Sequence, residues 1–285
     1  MARLIPVMEP APKRARLARP EGRLTMRSIL VNADRKKGTH ARIQTAANIA
    51  RHGGGHVTVL VDTPVSRYIA MDPMGGSYVM TDALEKARAE DDAVATAVES
   101  QLAASGVTFD VVRCEDEPVT ALSHAARLAD LIVVSRSGGL AGDLALTSRT
   151  PILALPDERP MEMPVRRACV AWDGGEQSAA ALRGALPLLA TCAAVTMVSV
   201  TEKKGGFPAA EALRYLSRHD IHAGFEEHER RDSTEQTLAA AVSRAGADLL
   251  VMGAYGKSRM REFLFGGVTA HFLNSPEAPA LLLAH

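Results

Sequence analysis

The sequence predicts an α/β protein made of two tandem doubly wound units, each a mostly parallel five-stranded sheet with helices on both faces. Three observations carry this. From residue 28 onward, short β-rich runs alternate with longer Ala-rich helical stretches. The runs are continuously apolar, as in "LIVVS" (131–135), which suits strands buried on both faces better than half-exposed ones. The pattern is then written a second time. "ADLIVVSRSG" (129–138) matches "ADLLVMGAYG" (247–256) in polarity, and "LVNAD" ending at Asp34 matches "VAWD" ending at Asp173. One unit of about 120 to 130 residues is therefore duplicated. Its strand–helix alternation implies right-handed crossovers.

In the first unit the strands are "SILVNA" (28–33), "HVTVLV" (56–61), "VTFDVV" (107–112), "LIVVS" (131–135) and "PILAL" (151–155). Helical stretches cover 40–53, where glycine ends the run, about 81–104, and 118–129. Met71, Met74 and Met80 fall in the long loop before the second helix, where they read as a cover for apolar surface or as a partner-binding lid. In the second unit the strands are "RACVAW" (167–172), "VTMVSV" (195–200), a polar strand within "AGFEEHER", "DLLVM" (248–252) and "PALLL" (279–283). Its helices cover 177–190, 207–219 and 233–246. The domains expected are 27–156 and 167–285, joined by the Pro- and charge-rich linker 157–166. Residues 1–26, rich in Pro and Arg, read as a disordered basic tail, with an arm contacting nucleic acid or membrane as the alternative. Met26 stands just before the first strand and is a candidate start.

Composition narrows the function classes. With 33 basic and 33 acidic residues the net charge is zero, which argues against a whole-protein footprint for nucleic acid. No apolar run is long enough for a transmembrane helix. Cys114, Cys169 and Cys192 are too few and too scattered for a disulfide framework or a metal site, and a reducing cytoplasm is the natural compartment. Cys169 and Cys192 read as small buried apolar residues. Cys114 lies beside Glu115 and Asp116, which disfavour a thiolate. The nine histidines show no ligand spacing; His219 and His222 straddle a predicted helix end.

The stretch that asks for an explanation is "GAYGKSRMREFLFGGVT" (253–269). Gly253 follows the fourth strand of its unit, and Asp173 follows the first. In doubly wound sheets these strand ends flank one crevice, the usual ligand site. Gly253 and Gly256 let the chain turn and present amides. Ser258 reads as the N-cap of a following helix, whose N-terminus favours an anion such as phosphate. Lys257 and Arg259 add positive charge, although solvated side chains are the plainer reading. On residues alone, the glycines also fit simple turn and packing roles, and Asp173 also fits a plain strand end.

The spacing Gly253-x2-Gly256-x9-Gly266 resembles the nucleotide-binding signature of universal stress proteins. "ACVAWDG" opening a unit and "SPEAPALLLAH" closing it resemble the same family, over roughly 28–156 and 167–285. The resemblance implies a Rossmann-like sheet of the adenine nucleotide α-hydrolase type and a site for ATP or another adenine nucleotide, with Mg2+ as an optional companion. By position, Asp173 would meet the adenosine end and Val200 would set its backbone against adenine. Gly253, Gly256, Gly266 and Gly267, with Val268 and Thr269 beyond them, would cradle ribose and phosphates. The family's Ser or Thr after the last glycine is Gly267 here, so a hydroxyl donor is missing; Thr269 is a candidate substitute. The resemblance also implies that the last strands of the two units meet in an intramolecular pseudo-dimer; a homodimer is left open.

The first unit departs further. Ser135 replaces the first glycine and only Gly138 survives. From Gly256 to Pro279 is 23 residues but from Gly138 to Pro151 only 13, so the helix facing the phosphates is expected to be missing. Asp34 remains, but alone it makes no site, and the unit reads as degenerate and structural. With no nucleophile–base pair, carboxylate dyad or metal cluster standing out, the leading function is a stress-response regulatory or protective module, at most a weak ATPase. One alternative is an interaction protein that has lost nucleotide binding. Another is an enzyme of the ATP pyrophosphatase type, because "WDGGEQS" (172–178) faintly resembles the Ser-Gly-Gly-x-Asp-Ser loop, with Asp173 and Gln177 as mismatches.

Overall fold

The computed structural model describes residues 25–71, 76–201, 206–255 and 267–285. The first unit runs β1 (Ser28–Ala33), α1 (Thr39–Gly53), β2 (His56–Asp62), β3 (Ile69–Met71), β4 (Ser77–Val79), α2 (Thr81–Ser105), β5 (Thr108–Cys114), α3 (Pro118–Ala125), β6 (Leu131–Ser135), α4 (Leu140–Thr147) and β7 (Ile152–Leu155). The second runs β8 (Arg167–Ala171), α5 (Glu176–Leu189), β9 (Ala194–Thr201), α6 (Ala209–Ser217), β10 (Ala223–Glu229), α7 (Thr234–Ala245), β11 (Leu249–Gly253), α8 (Gly267–Asn274) and β12 (Ala280–Ala284).

Ten strands form one sheet in the order β5-β2-β1-β6-β7-β12-β11-β8-β9-β10. In this sheet all pairings inside a unit are parallel, and the two units share the same strand order. At the centre β7 and β12 pair antiparallel, with Leu282 opposite Leu153. The reason lies in those strands. β7 and β12 are buried along their whole length. Either one left unpaired would expose an apolar edge that templates association. The two outer edges are β5 and β10; β10 carries Glu226, Glu227 and Glu229, and such charge blunts edge-to-edge pairing.

Two apolar layers cover the sheet, and each runs through both units. One gathers Ile43 of α1, Leu102 of α2, Leu182 of α5 and Leu216 of α6. The other gathers Leu122 of α3, Leu144 of α4, Val242 of α7 and Phe272 of α8. Burying a side chain of this size contributes about 1.5–3 kcal/mol. Met26 belongs to the first layer at 3% exposure. Residues 1–24 of the expected tail lie outside the described residues.

One expectation needs correction. The missing helix of the first unit is present: α4 occupies 140–147 and buries Ala141, Gly142, Leu144 and Ala145. The shortening falls ahead of the helix: only four residues separate β6 from α4. Gly138 and Gly139, at φ 84° and 83°, make that tight entry. Of the loop methionines, Met71 and Met80 are 74% and 38% exposed and belong to neither apolar layer; Met74 lies outside the described residues. They flank or belong to the β3–β4 hairpin, whose three-residue strands pair only with each other, too short to bury a face.

Candidate functional site

β9, β8 and β11 are consecutive strands of the sheet, and their carboxyl ends bring Val200, Asp173 and Gly253 to one edge. Asp173 stands two residues beyond β8 and is exposed. Its Oδ1 accepts the Gly175 amide at 2.8 Å, which turns the chain into α5. Val200 is half-buried near the end of β9. Gly253 ends β11 beneath the first turn of α5; a Cβ there would stand 2.6 Å from the Gln177 carbonyl carbon and from the Ser178 nitrogen. The glycine is therefore what allows α5 to lie on β11 at this point.

The described part of α8 opens with Gly267, Val268 and Thr269. Gly267 is exposed, Val268 half-buried and Thr269 only 4% exposed. Gly256, Lys257, Ser258, Arg259 and Gly266 lie outside the described residues.

Sequence reasoning missed a strap over this edge. Trp172 Nε1 donates to the Phe207 carbonyl at 3.1 Å, and the Phe207 amide donates to the Gly174 carbonyl at 3.0 Å. Gly174, at φ 73°, sits so close that a Cβ would meet the Phe207 nitrogen. The chain entering α6 thus lies across the Asp173–Gly174 turn. The pairs of glycines in "WDGGE" and "KKGGF" were the available signal.

The matching edge of the first unit is filled from within. Arg42 of α1 is 1% exposed. Its Nη2 donates to Asp34 Oδ1 at 2.6 Å and to Thr39 Oγ1 at 2.8 Å, its Nε to the Asn32 carbonyl at 3.0 Å, and its Nη1 to Ser135 Oγ. Counting from the strand-end aspartates, the second unit has Ala181 where the first has Arg42, and Gly253 where it has Ser135. Burial raises the Asp34 pKa, but the charge and hydrogen bond of Arg42, with those of Thr39 and Lys36, outweigh it and hold the carboxyl below its ordinary value. Asp157, from the linker, accepts from Ser137 Oγ at 2.6 Å and closes the same corner.

Asp62 ends β2 one residue past Val61, the partner of Ala33. Continuing the β8–β9 register, in which Ala171 pairs with Val198, puts Val200 at the corresponding place. A carboxyl therefore stands in the first unit where the second has an apolar side chain. Burial pushes its pKa up to about 6, the Asn32 amide opposing and the Asp34 charge adding.

Among the described residues no three His, Cys, Asp or Glu side chains stand where they could share a metal ion. Burial pushes the Cys169 and Cys192 thiols up to about 11 and about 12, as befits inert apolar packing. The Cys114 thiol is raised too, by burial first and by the Asp116 carboxylate. Among the described residues no helix is long and apolar enough to cross a membrane.

Among curated proteins, none matches the chain. Solved structures do. A universal stress protein from Archaeoglobus fulgidus aligns over 90% of this chain and 97% of its own, with a TM-score of 0.69 at 13% identity. A putative universal stress protein from Pseudomonas aeruginosa aligns over 91% and 93%, with a TM-score of 0.58 at 16% identity. A further universal stress protein from Archaeoglobus fulgidus, solved in complex with dAMP, aligns over 45% of this chain and 97% of its own, with a TM-score of 0.35 at 20% identity. The family model of the universal stress protein family matches residues 25–150 and again residues 164–283. This chain belongs to the universal stress protein family, in tandem two-domain form.

Proposed function

We propose that the chain binds one adenine nucleotide, in its second unit, and acts as a regulatory or protective module of a stress response. The observation that carries this is the asymmetry of the two edges. Asp173, Val200 and Gly253 stand at adjacent strand ends with α8 following, whereas in the first unit Arg42 fills the same edge from α1 and Asp62 stands in the place of Val200.

The residues fit the group. The exposed Asp173 carboxylate meets ribose hydroxyls, with one oxygen already engaged by Gly175 and the other free to accept. Val200 presents strand backbone and an apolar surface to the base. The amides of Gly267, Val268 and Thr269, which open the described part of α8, are the donors proposed for phosphate, since a helix N-terminus favours an anion by about 0.3–1 kcal/mol per charge. Gly267 supplies no hydroxyl, so phosphate is held by backbone. Gly256, Gly266, Lys257 and Arg259 lie outside the described residues and join the proposed site by the motif spacing alone, and Mg2+ would enter with the phosphates.

Titration calorimetry of the full chain with ATP tests this. One site per chain is the expected result, and no heat with ATP, ADP or AMP would contradict it. One observation favours the second reading, an interaction protein without nucleotide: packing against α5 accounts for Gly253 with no ligand at all. Equilibrium dialysis with radiolabelled ATP separates the two.

A further inference from the structure

We propose that Arg136 of the first unit is a positioning residue for the nucleotide site of the second, holding α8 in place through the turn that follows it. The inference rests on the nucleotide reading above. Arg136 comes directly after β6 and is 9% exposed. Its Nη1 donates to the carbonyls of Ala278 and, at 3.2 Å, Pro279, and its Nη2 donates to the carbonyl of Pro276 at 3.2 Å. All three acceptors lie in residues 275–279, the turn from α8 into β12. One guanidinium from one unit thus holds three carbonyls of the other.

The position matters because of what the turn carries. The described part of α8 is eight residues long, so Gly267 stands about 12 Å from the clamped end. A helix is stiff over that length, so fixing its C-terminal end fixes where the amides of Gly267, Val268 and Thr269 point. α4 of the first unit lies against α8 as well, so two contacts from the first unit brace one helix of the second.

The device runs one way. The second unit's counterpart of Arg136 is Ala254. Their backbones do the same thing: Arg136 N donates to the Leu155 carbonyl and Ala254 N to the Ala284 carbonyl, both at 2.8 Å. Only the side chains differ, and Ala254 has nothing with which to reach α4. The turn after α4 is tied within its own unit instead, by Thr150 Oγ1 donating to the Ala126 carbonyl at 2.7 Å. The unit that lacks an open site therefore braces the phosphate-facing helix of the unit that has one. A buried guanidinium held by neutral carbonyls is costly to desolvate. Burial lowers the Arg136 pKa, and the Asp157 carboxylate offsets part of that.

The test uses the full chain as wild type, Arg136→Met and Arg136→Lys. Each is titrated with ATP and melted without nucleotide. The expected result is that Arg136→Met weakens ATP binding about tenfold and Arg136→Lys, which keeps the charge and reaches fewer carbonyls, about threefold. This grading in affinity should persist at a temperature where all three proteins remain folded. A residue that only stabilised the fold would lower the melting temperature and leave the affinity of the folded protein unchanged. If Arg136→Met does not fold, Arg136→Lys decides the question. Wild type binding ATP with both variants matching its affinity overturns the role of Arg136 alone. Wild type binding no adenine nucleotide overturns the nucleotide reading and the brace with it.

Discussion

Arg42 reaches from the first helix to donate to Ser135 Oγ, at the strand end where the second unit has Gly253. A guanidinium at 1% exposure is tied there to Asp34, Thr39, Asn32 and Ser135. Removing it leaves the Asp34 carboxylate without its cation and opens a hole. Arg42→Met should destabilise the full chain by about 2–4 kcal/mol, toward the lower side of the range for breaking a buried pair because Asp34 is 26% exposed. Urea denaturation measures this; a change below about 0.5 kcal/mol would contradict the internal ion pair as a stabilising contact.

Asp62 predicts a pH dependence. Its folded pKa, about 6, lies above the ordinary carboxyl value of 3.8. Below the ordinary value both folded and unfolded forms are protonated and the group costs nothing. As pH rises through about 6 the folded form must ionise a buried carboxyl, and stability is lost. Asp62→Asn, whose amide oxygen can still accept from Asn32, should therefore stabilise the chain at pH 8 by up to about 3 kcal/mol, with the gain fading below about pH 5. Chemical denaturation across that range checks the sign; a gain that grows toward acid would be opposite to the account.

The antiparallel pairing of β7 with β12 predicts what happens when the units are separated. Residues 157–285 expressed alone expose β12, all five residues of which are buried in the full chain. A dimer through that strand, or a precipitate, is expected. Sedimentation showing a well-behaved monomer would count against the pseudo-dimer as a source of stability.

Gly253 should tolerate no side chain. A Cβ at 2.6 Å from two backbone atoms of α5 cannot be relieved by a rotamer change. Gly253→Ala should cost about 1–3 kcal/mol, the usual range for overpacking, and should weaken nucleotide binding by moving α5 and the Asp173 turn. A thermal melt like that of wild type would show that the packing is looser than described.

Much of this was legible in the sequence. The continuous apolar runs and the repeated "ADL" segments led to the parallel units, and the resemblance to universal stress proteins led to the meeting of β7 with β12. Asp173 and Gly253 were expected at one edge from the doubly wound pattern and Val200 from the resemblance, and β9, β8 and β11 are neighbours in the sheet. What was not legible depends on contacts distant in sequence. Arg42 sits in "HARIQTAANIARHG", where an arginine on a helix reads as solvated, and only the folded sheet brings it to Ser135. Arg136 and its carbonyls are some 140 residues apart. α4 was missed because a length deficit was assigned to the helix, whereas β6 and α4 are both present and joined by only four residues.

The central claim is one nucleotide per chain, bound in the second unit only. Titration calorimetry of wild type and Gly256→Val with ATP tests it most directly. Gly256 is the second glycine of the spacing that resembles the nucleotide-binding signature, and a β-branched side chain there is expected to take the room that the resemblance keeps for phosphate. The account predicts one site in wild type, none in Gly256→Val, and a stabilisation of about 2.7 kcal/mol at a hundred times the dissociation constant that the variant lacks. Two sites per chain, or binding that survives Gly256→Val, would contradict it.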